Sequence, residues 1–135
     1  MSMGSSPEVI LVDTNVLSYR YGKRSEFETF KPYLIGKIPA ISFISYGEAL
    51  AGAKSARWSE AKISNYENYL RSYLLIPGDI NLVRAYANTK SSCKFAGVGI
   101  DDNDCWIAAT AIMHHIPLIT NDENMHRVPN LVALP

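Results

Sequence analysis

Cysteine and unbalanced charge are both scarce in this sequence. Its 135 residues include two cysteines, Cys93 and Cys105, and neither stands in the spacing of a zinc site. Both lie in helix-like segments, which is typical of buried, reduced thiols, and we expect a cytoplasmic protein. The 13 basic residues are balanced by 13 acidic ones, so no general positive field attracts nucleic acid. Any recognition of RNA or DNA must therefore be local.

Long apolar runs are absent as well. No stretch of the sequence approaches the roughly 18 apolar residues of a membrane-spanning helix, so we expect no membrane segment. Residues 1–7 lack the charged and apolar regions of a secretory signal and are interpreted as a flexible leader. A chain of 135 residues is long enough for one hydrophobic core, and residues 8–135 are predicted to form a single domain.

The chain is organised around the segment at residues 9–15. Four apolar residues, three of them β-branched, lead directly into Asp13, Thr14 and Asn15. A short continuous apolar run is typical of a strand buried on both faces of a parallel sheet, and open α/β sheets bind ligands outside the carboxyl ends of their strands. Asp13 is therefore a candidate active-site carboxylate. The alternative interpretation is that Asp13 or Asn15 only caps the next helix.

Strand and helix patterns alternate along the rest of the chain. The further predicted strands are residues 38–44, 74–77, 116–120 and 131–134, and the predicted helices are residues 16–21, 25–31, 46–53, 58–73, 80–93 and 104–115. Alternation of this kind is typical of parallel βαβ units. The sequence therefore predicts the α/β class, as a three-layer α/β/α sandwich around a central, mainly parallel sheet.

Four acidic residues are predicted to share one edge of that sheet. Asp13 ends the first strand, Asp122 follows the strand that ends at Thr120, and Glu48 and Asp104 lie in the first turns of helices. Like charges at close range cannot all remain ionised without compensation, and a divalent cation compensates them far better than helix dipoles do. Oxygen ligands without histidine or thiolate favour Mg²⁺, with Mn²⁺ as a substitute, over zinc.

Each acid also has a purely structural interpretation. The spacing of Ser45 and Glu48 matches a capping box, residues 101–103 include the predicted cap of the helix that follows, and Asp122 is placed to cap the turn after it. The metal-site hypothesis depends on all four acids reaching the same edge, which separate capping roles do not explain.

Four sequence blocks follow one another in a recognisable order: residues 12–17 (VDTNVL), 45–53 (SYGEALAGA), 103–111 (NDCWIAATA) and 117–122 (PLITND). Together they cover nearly the whole domain, and they resemble the PIN-domain ribonucleases, in particular the VapC toxins of toxin–antitoxin pairs. Within the third block the family's aspartate lies two residues before Trp106, which selects Asp104 rather than Asp101 or Asp102. Residues 124–127 depart from the family, since many relatives carry an aromatic residue there.

The resemblance implies Mg²⁺-dependent hydrolysis of RNA, leaving 5′-phosphate and 3′-hydroxyl ends. It also implies inhibition by a cognate antitoxin and a homodimer. In this interpretation Asp13 and Asp104 are the preferred direct metal ligands, Glu48 binds metal or orients the attacking water, and Asp122 acts through water or at a second metal. Asn15 and Thr120 are the implied polar supports of these catalytic, metal-binding acids.

Contacts to the RNA backbone need cations near the acidic edge. Arg20 is the preferred candidate, and further basic clusters follow the first helix, follow the Glu48 helix and precede the Asp104 loop. Each of these clusters is equally consistent with a solvated surface. His114 and His115 end the buried helix, where cations suit the helix dipole, so a histidine-driven, metal-free reaction has little support.

Three other classes of protein share part of this pattern. A dehalogenase-type phosphotransferase needs a second aspartate where this chain has Asn15, and a phospho-receiver domain needs its acids and lysine in a different order. The third is a PIN fold that binds RNA or protein without cleavage. Since members of that kind usually lose acids and all four are present here, catalysis is favoured.

Overall fold

A parallel sheet of five strands runs through the part of the chain that the computed structural model describes, residues 8–135. The predicted leader, residues 1–7, lies outside the described residues. The strand order is β3-β2-β1-β4-β5, and every neighbouring pair is parallel. The strands are β1 (Val9–Val12), β2 (Ile38–Ser42), β3 (Leu74–Ile76), β4 (Leu118–Ile119) and β5 (Ala133–Leu134).

Five α-helices in the described residues connect these strands, and each begins at a side chain that accepts a backbone N–H. The helices are α1 (Thr14–Tyr21), α2 (Phe43–Ser55), α3 (Glu60–Leu70), α4 (Ile80–Ala96) and α5 (Asp102–His114). Their N-caps are Asp13, Ser42, Ser59, Asp79 and Asp101. None of the helices in residues 8–135 is long and apolar enough to cross a bilayer.

The two faces of the sheet are covered by different helices, which confirms the predicted three-layer α/β/α sandwich. Ile10 and Val12 pack on one face with the buried side chains of α1, α2 and α3. Leu11, pointing the opposite way, packs with α4 and α5. As predicted from its apolar composition, α5 is the most buried helix. Six of its seven residues from Cys105 to Ala111 are buried.

Several predicted boundaries are wrong by a few residues. The predicted strand at 38–44 ends at Ser42, because this residue caps α2 and turns the chain into the helix. Residues 25–31, predicted as one short helix closed by Pro32, form a 3₁₀ helix (Ser25–Thr29), and Pro32 lies inside a second one (Lys31–Leu34). Proline is accepted there because the first turn of a helix leaves its N–H groups unpaired.

Candidate active site

The parallel pairing of β1 and β4 brings Asp13 and Thr120 together. Val12 lies beside Ile119 in the sheet, and the next residue of each strand enters the carboxyl-end edge. Thr120 Oγ1 donates to Asp13 Oδ2 at 2.6 Å, and the Thr14 amide donates to Asp13 Oδ1 at 2.8 Å. Asp13 therefore both caps α1 and faces the site, so the two interpretations of this residue are compatible.

Burial makes the charge of Asp13 costly. The side chain is only 3% exposed, and burial is the main cause that raises its pKa above the ordinary value of 3.8. Its hydrogen bonds act in the opposite direction, whereas repulsion from Glu48 and Asp122 raises the pKa further. This repulsion indicates that the three carboxylates share one electrostatic environment.

Asp104 lies at the same edge, and its pKa is also raised. Its pKa is raised to about 7, first by burial and then by repulsion from Asp101. Smaller contributions come from the other three predicted acids, Asp13, Asp122 and Glu48. The structure therefore brings together all four acids that the sequence predicted, although the first and the last are 109 positions apart in the chain.

The acids next to Asp104 have structural roles instead. Asp101 accepts the Asp104 amide at 2.8 Å and so caps α5. Asp102 accepts the Tyr86 hydroxyl at 2.9 Å and pairs with Lys90. Among residues 8–135 no hydrogen bond is donated to the Asp104 carboxylate, so both of its oxygens are available at the edge.

Glu48 is not part of a capping box, so that alternative is wrong. The N-cap of α2 is Ser42, whose Oγ accepts the Ser45 amide at 3.0 Å. Glu48 Oε1 instead accepts from Thr14 Oγ1 at 2.7 Å, and Oε2 accepts from Asn103 Nδ2 at 3.2 Å. Both oxygens therefore point across the structure to α1 and α5 rather than back to the helix.

The two predicted polar supports, Thr120 and Asn15, connect the start of α1 with the end of β4 and the loop after it. Thr120 Oγ1, which donates to Asp13, also accepts the Asp122 amide at 3.0 Å. Asn15 Oδ1 accepts the Asn121 amide at 3.4 Å. Asp122 Oδ1 accepts the Asn124 amide at 2.9 Å, which is the capping interaction that its position suggested. Asp122 thus shapes its own turn while it contributes charge to the edge.

The four carboxylates lie at one edge of the sheet, but their side chains do not have the geometry of a metal site. In the described part of the chain, no three His, Cys, Asp or Glu side chains are positioned to hold a metal ion as they stand. The all-oxygen donor set and the raised pKa values of two members still fit a hard divalent cation.

Arg20, the predicted RNA contact, packs away from these acids. It lies in the last turn of α1, whereas Asp13 lies at the first. Its guanidinium lies 5.7 Å and 5.8 Å from the ring centres of Phe27 and Tyr73, and its Nη1 donates to the Tyr73 hydroxyl at 3.3 Å. These contacts give Arg20 a packing role, and its contact with RNA stays a prediction.

Thr14, Ser45 and Asn103 contact the predicted site although the sequence interpretation assigned them no role there. Thr14 and Asn103 donate to Glu48, and Ser45 Oγ lies 2.9 Å from Thr14 Oγ1. All three lie inside the blocks that carried the family resemblance, which was the available signal. The spacing of Ser45 and Glu48 predicts a capping role for Ser45 and gives no indication of its contact with Thr14.

The fold and the acidic edge define an α/β protein with an oxygen-rich site at the carboxyl ends of its strands. Residues 10–131 match the family model of the PIN domain. Since this match covers most of the chain, the chain belongs to the PIN domain family, and the resemblance predicted from its sequence blocks is confirmed.

Individual relatives are similar over nearly their whole length. Ribonuclease VapC4 of Mycobacterium tuberculosis is 28% identical over 126 residues, which cover 92% of this chain and 94% of that protein. The VapBC2 structure from Rickettsia felis, bound to a DNA fragment from the promoter, matches with a TM-score of 0.79 at 22% identity, over 93% of this chain and 96% of that one. FitAcB from Neisseria gonorrhoeae matches with a TM-score of 0.76 at 26% identity, with the same coverage.

Proposed function

We propose that this protein is a metal-dependent endoribonuclease that hydrolyses RNA phosphodiester bonds and is the toxin of a VapBC-type toxin–antitoxin pair. Membership of the PIN domain family and relatives named ribonuclease VapC support this function. The observation that carries it is the shared electrostatic environment of Asp13, Glu48, Asp104 and Asp122. Repulsion among such a cluster of carboxylates destabilises the fold, whereas a hydrolase can use the cluster to bind a divalent ion.

In this proposal Asp13 and Asp104 hold Mg²⁺, for which Mn²⁺ can substitute, and Asp122 contributes through water or at a second ion. When bound, the ion lowers the pKa of a coordinated water and stabilises charge on the scissile phosphate. Thr120 keeps Asp13 oriented by donating to its Oδ2. Glu48 orients the attacking water or binds metal, and Asn15 stabilises the backbone of the loop that carries Asp122.

The proposed partners are an RNA substrate, a cognate antitoxin and a second copy of the chain, in the cytoplasm. A groove of about 380 Å³ opens beside Thr14 and Glu48 and continues along the rings of Tyr21, Trp58 and Tyr66. An apolar groove that reaches the acidic edge suits a segment of the antitoxin, because an occupant there also blocks access to Glu48. Structural neighbours described as VapBC and toxin–antitoxin complexes support an antitoxin as the partner, and its place in this groove is part of our proposal.

RNA cleavage by the purified, antitoxin-free protein tests the proposed function. Cleavage is expected with Mg²⁺ or Mn²⁺, and chelation or the substitutions Asp13→Asn and Asp104→Asn should reduce it by at least about 10³-fold, as expected for loss of a metal-assisted reaction. Circular dichroism of both variants provides the control for folding. Cleavage that persists in the presence of a chelator would exclude the metal-dependent mechanism.

The alternative is a PIN fold that binds RNA or protein without cleaving RNA. Two observations favour it: Asp13 caps α1, and Asp122 accepts a hydrogen bond within its own turn. Both acids thus have structural roles that do not need catalysis. Under this alternative the asparagine variants retain RNA binding and the wild-type protein shows no cleavage at any metal concentration. The same assay therefore separates the two functions.

A further inference from the structure

A chain of hydroxyl groups leads from the start of α2 to the Glu48 carboxylate. Ser42 and Ser45 are fully buried, and their Oγ atoms lie 3.3 Å apart. Ser45 Oγ lies 2.9 Å from Thr14 Oγ1, which in turn lies 2.7 Å from Glu48 Oε1. Side chains alone thus connect β2, α2 and α1 in one hydrogen-bonded series.

The number of available protons determines the direction of these hydrogen bonds. Each hydroxyl carries one proton, and an ionised carboxylate can only accept. Thr14 therefore donates to Glu48, and Ser45 donates to Thr14. Ser42 completes the series by donating to Ser45, while its own Oγ accepts the Ser45 amide at 3.0 Å. All three protons point toward Glu48, which makes the hydrogen bond at the carboxylate charge-assisted and therefore strong.

We propose that Ser45 and Thr14 are positioning residues that hold Glu48 in one side-chain conformation at the acidic edge. The proposal rests on the proposed endoribonuclease function and deepens it by naming what orients Glu48. Asn103 Nδ2 fixes the second carboxylate oxygen at 3.2 Å, so Glu48 is held from α1 on one side and from α5 on the other. The acceptor sites that remain on the two oxygens then have fixed directions, which is what orienting an attacking water requires.

Neither helix capping nor apolar packing requires a hydroxyl group at position 45. The N-terminus of α2 is already capped by Ser42 Oγ, so the Ser45 side chain is not needed by the backbone. A fully buried hydroxyl costs free energy unless it is hydrogen-bonded, and the Ser45 hydroxyl is hydrogen-bonded to Ser42 and Thr14. We therefore assign the Ser45 hydroxyl to the hydrogen-bonded series that ends at Glu48.

Two substitutions with matched controls test the proposal in the full-length, antitoxin-free protein. Thr14→Val and Ser45→Ala each remove one hydroxyl of the series. Thr14→Ser keeps the hydroxyl at position 14, and Thr110→Val removes a fully buried hydroxyl that donates to the Trp106 carbonyl, outside the site. The measurements are kcat and KM for a defined RNA, together with the melting temperature of each variant.

We expect Thr14→Val and Ser45→Ala to lower kcat on the order of tenfold, less than the roughly 10²–10⁴-fold loss of a whole acid–base group. KM should change by less than about twofold, because positioning affects the chemical step rather than uniform binding. Thr14→Ser should restore kcat, and Thr110→Val should leave it unchanged. Wild-type kcat in Thr14→Val would overturn the proposal, as would a loss in Ser45→Ala no larger than in Thr110→Val. If Ser45→Ala does not fold, the Thr14 pair decides the question.

A crystallographic readout keeps this proposal separate from the proposed function. If the wild-type protein cleaves no RNA, the proposed function fails, but the conformation of Glu48 can still be compared in wild type and Thr14→Val. One Glu48 conformer in the wild type and a displaced or multiply occupied side chain in the variant supports positioning. The same single conformer in both structures overturns it.

Discussion

At the scale of single residues, Asp104 is distinguished by what it lacks. Its carboxylate accepts no hydrogen bond that we find among residues 8–135, whereas Asp13, Glu48 and Asp122 each accept at least one. Burial and repulsion raise its pKa to about 7. Without a cation, ionised Asp104 is therefore a source of instability, and this has a measurable consequence for the dependence of folding on pH.

The metal-free protein should become less stable as pH rises from 5.5 to 8. The pKa of Asp104 is raised in the folded state from 3.8 to about 7, so the folded state binds this proton more tightly than the unfolded state. The stabilisation that the bound proton provides is therefore lost as pH rises toward and through 7. We expect the free energy of unfolding to fall by about 1–3 kcal/mol, less than the whole shift because part of the carboxyl contacts water. Urea titrations with chelator present provide the measurement.

Asp104→Asn is the control for this pH effect. The variant cannot ionise at position 104, so its loss of stability between pH 5.5 and 8 should be smaller than that of the wild type. At pH 8 the variant should be the more stable of the two. Equal slopes in both proteins would show that Asp104 does not have a raised pKa.

Thr120 provides a second prediction, because it serves both Asp13 and Asp122. Thr120→Val removes the donor to Asp13 Oδ2 and the acceptor of the Asp122 amide, leaving buried partners without hydrogen bonds. We expect a loss of stability of about 1–3 kcal/mol and weaker Mn²⁺ binding, both measured on the purified protein. Thr120→Ser keeps the hydroxyl and should retain metal affinity. Full Mn²⁺ affinity in Thr120→Val would mean that this contact does not orient Asp13.

The sequence predicted that four acids reach one edge of the sheet, but it did not predict their hydrogen-bond partners. The spacing from Trp106 separated Asp104 from Asp101 and Asp102, and the structure gives those two neighbours capping and pairing roles. The hydroxyl series could not be predicted, because whether a serine caps a helix or contacts a distant threonine depends on side-chain conformations in the folded state.

At the scale of helices and strands, the start of α2 shows why boundary predictions fail. Ser42 and Ser45 are both plausible N-caps by residue type, and only Ser45 has a glutamate three residues later. In the fold the helix begins one turn earlier, at Phe43, because Ser42 Oγ accepts the Ser45 amide. Ser45 and Glu48 then share a helix face by their spacing of three, which imitates a capping box.

The packing of α4 against α5 predicts that both cysteines are unreactive. Cys105 is 1% exposed and Cys93 is 3% exposed, and burial raises the pKa of Cys105 to about 11. Since the thiolate is the nucleophile, alkylation by iodoacetamide at pH 8 should be at least about tenfold slower than in urea-unfolded protein. Mass spectrometry of the labelled chain measures this. Comparable rates in the two states would indicate that α4 and α5 separate readily.

At the scale of the whole molecule, the parallel sheet explains how distant acids meet. Asp13 and Thr120 follow neighbouring parallel strands, whose carboxyl ends share one edge of the sheet. Asp104 reaches the same edge from the first turn of α5, the helix that leads into β4. Alternating apolar segments were sufficient to predict that topology. The arrangement of the oxygens could not be predicted, because it depends on donors such as Thr14 and Thr120 that the fold brings in from other elements.

The surface near the end of β3 leads to a prediction about assembly. Phe43, Leu75 and Val83 are 38%, 46% and 47% exposed, and together with Trp106 they line one apolar groove. The family resemblance implies a homodimer, and we predict that this face forms it, because exposed apolar patches mark protein–protein contact surfaces. Val83→Glu should give a monomer in light scattering. Ile35→Glu, at a 74% exposed position outside the groove, is the matched control and should leave the dimer intact. A dimeric Val83→Glu variant would exclude this face.

The most direct test of the acidic edge is a titration of the antitoxin-free protein with Mn²⁺, followed by electron paramagnetic resonance. If the four carboxylates form a divalent-ion site, the wild type binds one or two Mn²⁺ ions, and Asp13→Asn or Asp104→Asn abolishes binding while the fold is retained. Binding of the same number of ions to Asp104→Asn, or no binding to the wild type, would contradict the assignment.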